Sequence, residues 1–197
     1  TAKVKRGDSV AVLGVGGVGL SSVAAAAALG ANPVIAVDLD EAKLEFARKF
    51  GATHGVNASS GDPVEAIKKL TNGGVDFAFD TIGAPKTQVQ IAQATRPGIG
   101  GVREGGTAIL VGIPQAEVTV DLWRTLVAQA RIYRSSLGGS SRPDRDFPIF
   151  LDWYKRGQLK LNDLVTKKYT LDQINEGVHD LERGRIFGRS IMEFAKP

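Results

Sequence analysis

The chain has 197 residues, of which 43% are hydrophobic and 23% charged, with a formal net charge of +4 and no cysteine. That size and balance fit one self-supporting globular domain with room for a small appendage. They exclude disulfide staples, a cysteine nucleophile and a thiolate metal site, and the scattered basic residues, paired only as Lys68-Lys69 and Lys167-Lys168, carry no footprint for nucleic acid.

In chain order, Ser9–Leu13 (SVAVL) reads as a strand and Val18–Leu29 as a helix. Val34–Asp38 (VIAVD) is a second strand, followed by a helix over Asp40–Phe50 that ends at Gly51. His54–Asn57 is a short strand, and Pro63–Thr71 a helix stopped by Asn72-Gly73-Gly74. Val75–Asp80 (VDFAFD) is a strand, Pro85–Thr95 a helix, Thr107–Val111 a strand, Leu122–Ala130 a helix and Ile132–Leu137 a strand. Most of these strands are continuously apolar, the mark of strands buried on both faces. Their alternation with helices gives an α/β fold class, a doubly wound parallel six-stranded sheet. The rhythm breaks at Gly138-Gly139-Ser140-Ser141-Arg142-Pro143. A C-terminal α+β segment follows: helix Arg145–Arg156, strand Val165–Tyr169, helix Leu171–Arg183 and a last strand Ser190–Phe194. Thr170 or Asp172 caps the second of these helices and Gly184 closes it. The domains read as 1–138 and 139–197. A second glycine-rich stretch, Pro97–Gly106, is a long loop before the fifth strand.

Gly14-Val15-Gly16-Gly17-Val18-Gly19 fits G-x-G-x-x-G, follows a strand and opens a helix. In that context it is a Rossmann-type dinucleotide fingerprint. Gly14 allows the tight turn, Gly16 lets a pyrophosphate approach the backbone, and Gly19 lets helix pack on strand. The helix N-terminus, opening at Gly17 and Val18, offers N–H groups and a positive dipole end to phosphates. Asp38 ends the second strand 19 residues beyond Gly19. A carboxylate there accepts hydrogen bonds from the adenosine ribose and repels a 2′-phosphate, so NAD is the expected cofactor rather than NADP. Leu39 and Asp40 follow, with no arginine to receive that phosphate; Asp40 is the better helix cap. Lys43 is placed to reach a ribose hydroxyl from the helix. The strand ends at Asp80-Thr81-Ile82-Gly83 and Val111-Gly112-Ile113-Pro114 lie at the carboxyl edge that holds the ligand crevice. Thr81 and Ile82 fall to the adenine side, and Val111, Gly112 and Ile113 to the nicotinamide carboxamide.

Catalytic and metal-binding residues are not legible, so none is assigned. His54 and His179 stand alone, without a second ligand at metal spacing. No G-x-S-x-G elbow occurs, and Tyr154-Lys155 are adjacent rather than on one helical face, which does not support a tyrosine–lysine proton relay. The longest apolar stretch, Val23–Leu29, is far short of the ~20 residues of a membrane helix. No cationic start leads into an apolar core. The lack of cysteine suits a reducing compartment, so a cytoplasmic location is expected. The chain opens on Thr1 rather than methionine, which points to processing or to a longer parent.

Taken in order, Gly14–Leu20, Val37-Asp38, Lys43, Gly51-Ala52-Thr53, Gly73-Gly74-Val75-Asp76, Val111-Gly112-Ile113-Pro114 and Ile174-Asn175-Glu176-Gly177 resemble the medium-chain, zinc-dependent alcohol dehydrogenases. The branch most resembled includes thiol-conjugate formaldehyde dehydrogenases. The resemblance implies hydride transfer between a small alcohol or aldehyde and NAD(H), with zinc held by an N-terminal GroES-like domain. Thr1–Asp8 resembles the connection after that domain, so the chain is expected to be the cofactor domain plus a return segment that packs on the other half, and to be catalytically incompetent alone. The resemblance further implies that Arg189 contacts the cofactor pyrophosphate and that the edge strand near Ile132–Leu137 pairs with its twin in a homodimer. Leu137 or Ser136 is expected at one side of the substrate pocket. The stretch Arg96–Gly106 is longer than the family pattern, which places doubt on the loop geometry at the cofactor edge. Competing readings are a zinc-independent quinone-reductase-like enzyme, which Asp38 opposes, a non-catalytic dinucleotide-binding module, and a methyltransferase, which the third glycine opposes.

Overall fold

Short strands without a polar face are stable where helices cover both sides of their sheet. A computed structural model describing residues 1–194 contains six short strands in one sheet: Val10–Leu13 (β1), Val34–Asp38 (β2), His54–Asn57 (β3), Phe77–Asp80 (β4), Thr107–Leu110 (β5) and Ile132–Ser135 (β6); β1 and β2 meet that condition, whereas the edge strands β3 and β6 are partly exposed. They pair in parallel in the order β3-β2-β1-β4-β5-β6, the order of a doubly wound Rossmann-type sheet. The direction of winding reverses between β1 and β4, so a crevice opens there at the carboxyl edge. Register sharpens this edge: Leu13 stands opposite both Val37 and Asp80, which brings the exits of β1, β2 and β4 to one level.

Four helices cover the sheet: Gly17–Ala28 (α1), Glu41–Arg48 (α2), Pro63–Thr71 (α3) and Pro85–Ala94 (α4). The Asp40 carboxylate accepts from Ala42 N–H and caps α2, and Asp62 caps α3 in the same way. Alternate residues of β1 feed two cores. Val10 and Val12 join Leu20, Val23 and Leu44 under α1 and α2. Ala11 and Leu13 join Ile67 and Ile91 under α3 and α4. Each fully buried Leu or Ile there contributes roughly 1.5–3 kcal/mol.

After β6 the chain makes a short turn at Gly138–Ser140, then forms Pro143–Lys155 (α5), Val165–Tyr169 (β7), Ile174–Glu182 (α6) and Arg189–Met192 (β8). β7 and β8 pair in parallel as a separate small sheet. Thr170 forms a capping box with Gln173, which opens the helical stretch with one 3-10 turn before α6, and Gly184 ends it at φ +65°. The segment rests partly on the main domain. Leu159 and Leu164 enter the core under α1 and α2, and Phe187 lies 6.2 Å from Phe46. Among the described residues no helix is long and apolar enough to cross a membrane.

Element ends shift by one to three residues, Val111 for one falling outside β5, and three expectations change in ways the packing explains. Val75 leaves β4 and makes only an isolated bridge to Thr95, because Gly74 sits at φ +127° against the backbone of residues 94–96. The Leu122–Ala130 helix shrinks to one wide turn, Trp123–Val127, in which Ala128 N–H reaches back to the Trp123 carbonyl. Arg131 explains part of this, since its guanidinium donates to the Thr125 carbonyl and its backbone N–H to that of Leu126. The long Arg96–Gly106 loop lies at the amino edge of the sheet, away from the crevice. Gly98 and Gly105 N–H groups donate to the Gln129 and Ala130 carbonyls, and Arg96 pairs with Asp76 at 2.6 Å. The doubt about the cofactor edge is therefore removed.

Candidate functional site

The exit of β1 is built to leave a helix end open. Gly14 turns at φ +83°, and a Cβ there would stand 2.5 Å from Ile82 Cγ1. A Cβ on Gly19 would collide with the Gly14 carbonyl oxygen, so the loop folds flat only because both lack side chains. Gly16 is the N-cap of α1 and offers no side-chain acceptor to the first turn. The N–H groups of that turn have no intrahelical acceptor. A Cβ on Gly16 would meet nothing within 4 Å, because that position faces the cleft. The arrangement is a cradle for an anion.

Asp38, at the end of β2, faces the same loop. One carboxylate oxygen accepts from Val15 N–H at 2.9 Å, and the other from the N–H groups of Leu39 and Asp40 at 2.8 and 3.2 Å. Three donors do not exhaust two carboxylate oxygens, so acceptor capacity remains for a ligand hydroxyl. Lys43, one turn into α2, borders the same cleft.

Arg189 comes from the other end of the chain. Its guanidinium lies over Gly17, where a Cβ would stand 2.6 Å from Cζ. Among the described residues it has no ion-pair partner, so a cation is held at the helix N-terminus with its charge uncompensated.

The exits of β4 and β5 cross closely. Fully buried Asp80 organises them: its carboxylate accepts from the Ile82 and Gly83 N–H groups and the Thr87 hydroxyl, and its carbonyl accepts from Val111 and Gly112 N–H. Thr81 donates its hydroxyl to the Leu13 and Gly14 carbonyls and ties this crossing to the glycine loop. Sequence reasoning named the Thr81–Ile82 and Val111–Ile113 loops but missed Asp80 as the group that holds them. The signal was available: VDFAFD ends in an acid as VIAVD does.

All thirteen expected site residues line two adjoining cavities. Gly14, Gly16, Gly17, Gly19, Asp38, Lys43 and Arg189 border one of about 570 Å³. Val111, Gly112 and Ile113 border one of about 950 Å³, together with Ser136 and Leu137. Val18, Thr81 and Ile82 border both. A bipartite ligand with an anionic middle fits this shape. The histidines lie elsewhere: His54 Nδ1 pairs with the Thr53 hydroxyl at the start of β3, and His179 faces Glu182 on α6. Among the described residues no three His, Asp or Glu converge to hold a metal ion.

Sheet order, glycine cradle and acidic strand end define a Rossmann-type domain with a crevice suited to a dinucleotide. Comparison with known proteins narrows the class. Residues 17–156 match the zinc-binding dehydrogenase family. The class-3 alcohol dehydrogenase of Cereibacter sphaeroides is 32% identical over 202 residues, covering 98% of this chain and 52% of that protein. A Schizosaccharomyces pombe protein named "Probable S-(hydroxymethyl)glutathione dehydrogenase 1" is 33% identical over 198 residues, covering 100% of this chain and 50% of that one. The crystal structure of benzyl alcohol dehydrogenase from Acinetobacter calcoaceticus superposes with a TM-score of 0.88 at 34% identity, covering 98% of this chain and 51% of the other. This chain belongs to the zinc-binding dehydrogenase family, and it spans about half the length of the curated relatives it matches.

Proposed function

We propose that the chain is the cofactor-binding half of an alcohol dehydrogenase and that it takes NAD(H) in preference to NADP(H). The observation that carries the preference is Asp38, fixed by the Val15 N–H at the mouth of the glycine cradle. A carboxylate so held accepts from both ribose hydroxyls, and its charge opposes a 2′-phosphate. The dinucleotide supplies the hydride donor or acceptor; the chain orients it. First-turn N–H groups of α1 and Arg189 receive the pyrophosphate, Asp38 and Lys43 the adenosine ribose, and the backbone of Val111–Ile113 the nicotinamide carboxamide. Thr81 and Ile82 separate the two halves. Ser136 and Leu137 face the side where a small alcohol or aldehyde would lie.

Zinc chemistry belongs to residues outside this chain, and the chain alone turns over no alcohol. The unpaired outer side of β6, a sheet edge, supports pairing with a second copy as a homodimer. The cysteine-free composition suits the cytoplasm. The test is a fluorescence titration with NADH and NADPH beside the Asp38→Gly variant. NADH should bind more tightly than NADPH by at least tenfold, as one lost charge-assisted hydrogen bond of about 1.5–3 kcal/mol requires, and the variant should erase the difference. Equal binding of the two by the wild type refutes the assignment of Asp38.

A further inference from the structure

The C-terminal segment does not close tightly onto the main domain. Between α1 and α5 lies a third cavity, of about 270 Å³, which shares no lining residue with the glycine-cradle crevice. Its floor is buried: Ala24 and Phe50 come from the main domain, Leu159 and Leu164 from the segment, and none of the four is more than 8% exposed. Phe150 and Trp153 of α5 add a wall of two rings, with centroids 6.0 Å apart. Leu161 borders the cavity from an exposed position and marks its mouth. Protein interiors pack to the density of organic crystals and hold few voids larger than a water. This one persists because α1 presents only the methyl groups of Ala24 and Ala25 to it.

The chemistry of the lining excludes water and charge as occupants. Three polar side chains border the cavity, and two are engaged: the Ser21 hydroxyl donates to the Gly17 carbonyl, and the Lys160 ammonium to the Lys49 carbonyl. The Trp153 indole N–H has no acceptor within the described residues. One free donor does not hold a water, which takes two to four polar partners, whereas a dry apolar cavity of about 150 Å³ is already large enough for benzene. A ring placed here meets Phe50, Phe150 and Trp153, which aromatic pairs favour edge-on or offset, and it restores the dispersion contacts that the gap forfeits.

We infer that this cavity is a binding site for a small uncharged aromatic molecule, a substituted benzene in size. Its walls come from both parts of the chain, so the occupant braces the segment that carries Arg189 against α1. Binding is coupled to the stability of that contact and is separate from the dinucleotide crevice.

The test titrates the chain with toluene, followed by ligand-observed NMR and by thermal melting. At ten times its Kd, toluene should raise Tm by about 3–6 °C. Benzoate, the same ring with a charge, should bind at least about tenfold more weakly. Ala24→Leu fills the floor from α1 and should bind toluene about tenfold more weakly than the wild type or not at all. Leu161→Trp, a change at an exposed position that does not threaten the fold, narrows the mouth and should weaken toluene in the same direction. Neither residue borders the larger cavity beside Ser136 and Leu137, so the two variants also distinguish the sites. Absence of toluene binding at millimolar concentration, equal affinity for benzoate, or unchanged toluene affinity in both variants overturns the inference.

Discussion

Gly16 and Gly19 stand three residues apart in one loop, yet replacing each with alanine should have opposite consequences. At Gly19 the new methyl is driven into the Gly14 carbonyl oxygen. Backbone cannot move aside as a side-chain tip does, so the cost lies at or above the upper end of overpacking, about 3 kcal/mol. For a chain of this size that lowers Tm by roughly 10 °C. At Gly16 the methyl meets no protein atom within 4 Å, and the backbone angles, φ −71° and ψ −165°, suit any L residue. Two small terms oppose each other there. Alanine is a weaker N-cap than glycine, and it reduces unfolded-state entropy by about 0.4–1 kcal/mol. Stability should therefore stay within about 0.5 kcal/mol of wild type. The methyl does occupy the place where the pyrophosphate approaches. Losing one charge-assisted hydrogen bond of about 1.5–3 kcal/mol weakens NADH by at least tenfold. Thermal melting without ligand, paired with NADH titration by fluorescence, separates the two effects. A Gly16→Ala chain that binds NADH like the wild type, or a Gly19→Ala chain that melts like it, refutes the geometry argued for the cradle.

Arg189→Gln should lower NADH affinity by about tenfold, since a charged donor to phosphate is lost, and should flatten the decline of that affinity with salt; an unchanged salt dependence would place the guanidinium elsewhere. Asp180 links β7 to α6, accepting from Lys167 at 2.7 Å and the Tyr169 hydroxyl at 2.8 Å. Those two bonds, Lys167 first, hold its carboxyl at about 2, below the ordinary 3.8. The stabilisation is complete above the ordinary value and disappears as pH falls through the depressed one. The Tm gap between wild type and Asp180→Asn should hold at neutral pH and close between about pH 4 and pH 2. A gap that is independent of pH would show that the ion pair is not its source.

Much of the site was legible because its chemistry is local. A tight turn, a helix N-terminus and a carboxylate at a strand end are properties of a few consecutive residues. Gly14–Gly19 and Asp38 could therefore be read from spacing, and the caps at Asp40 and Asp62 confirm the same local logic. Strand ends shifted by a residue or two: Val75 leaves β4 because Gly74 turns the backbone there, and Val111 leaves β5 because its partner β4 ends at Asp80, opposite Leu110, and one chain segment does not encode its neighbour. The Trp123–Val127 turn departs from the helix its sequence suggests because Arg131, beyond it, takes up its carbonyls.

The sequence by itself determined the α/β alternation, the glycine cradle and the acidic strand end, all governed by short-range sterics and backbone hydrogen bonding. Only the tertiary structure decided what converges on them. It lays Arg189 over Gly17 from the far end of the chain, sets Asp80 beneath two crossing loops, and moves the Arg96–Gly106 loop to the opposite edge. These placements depend on sheet order and on which helix face is buried, and both are fixed by packing between residues distant in sequence.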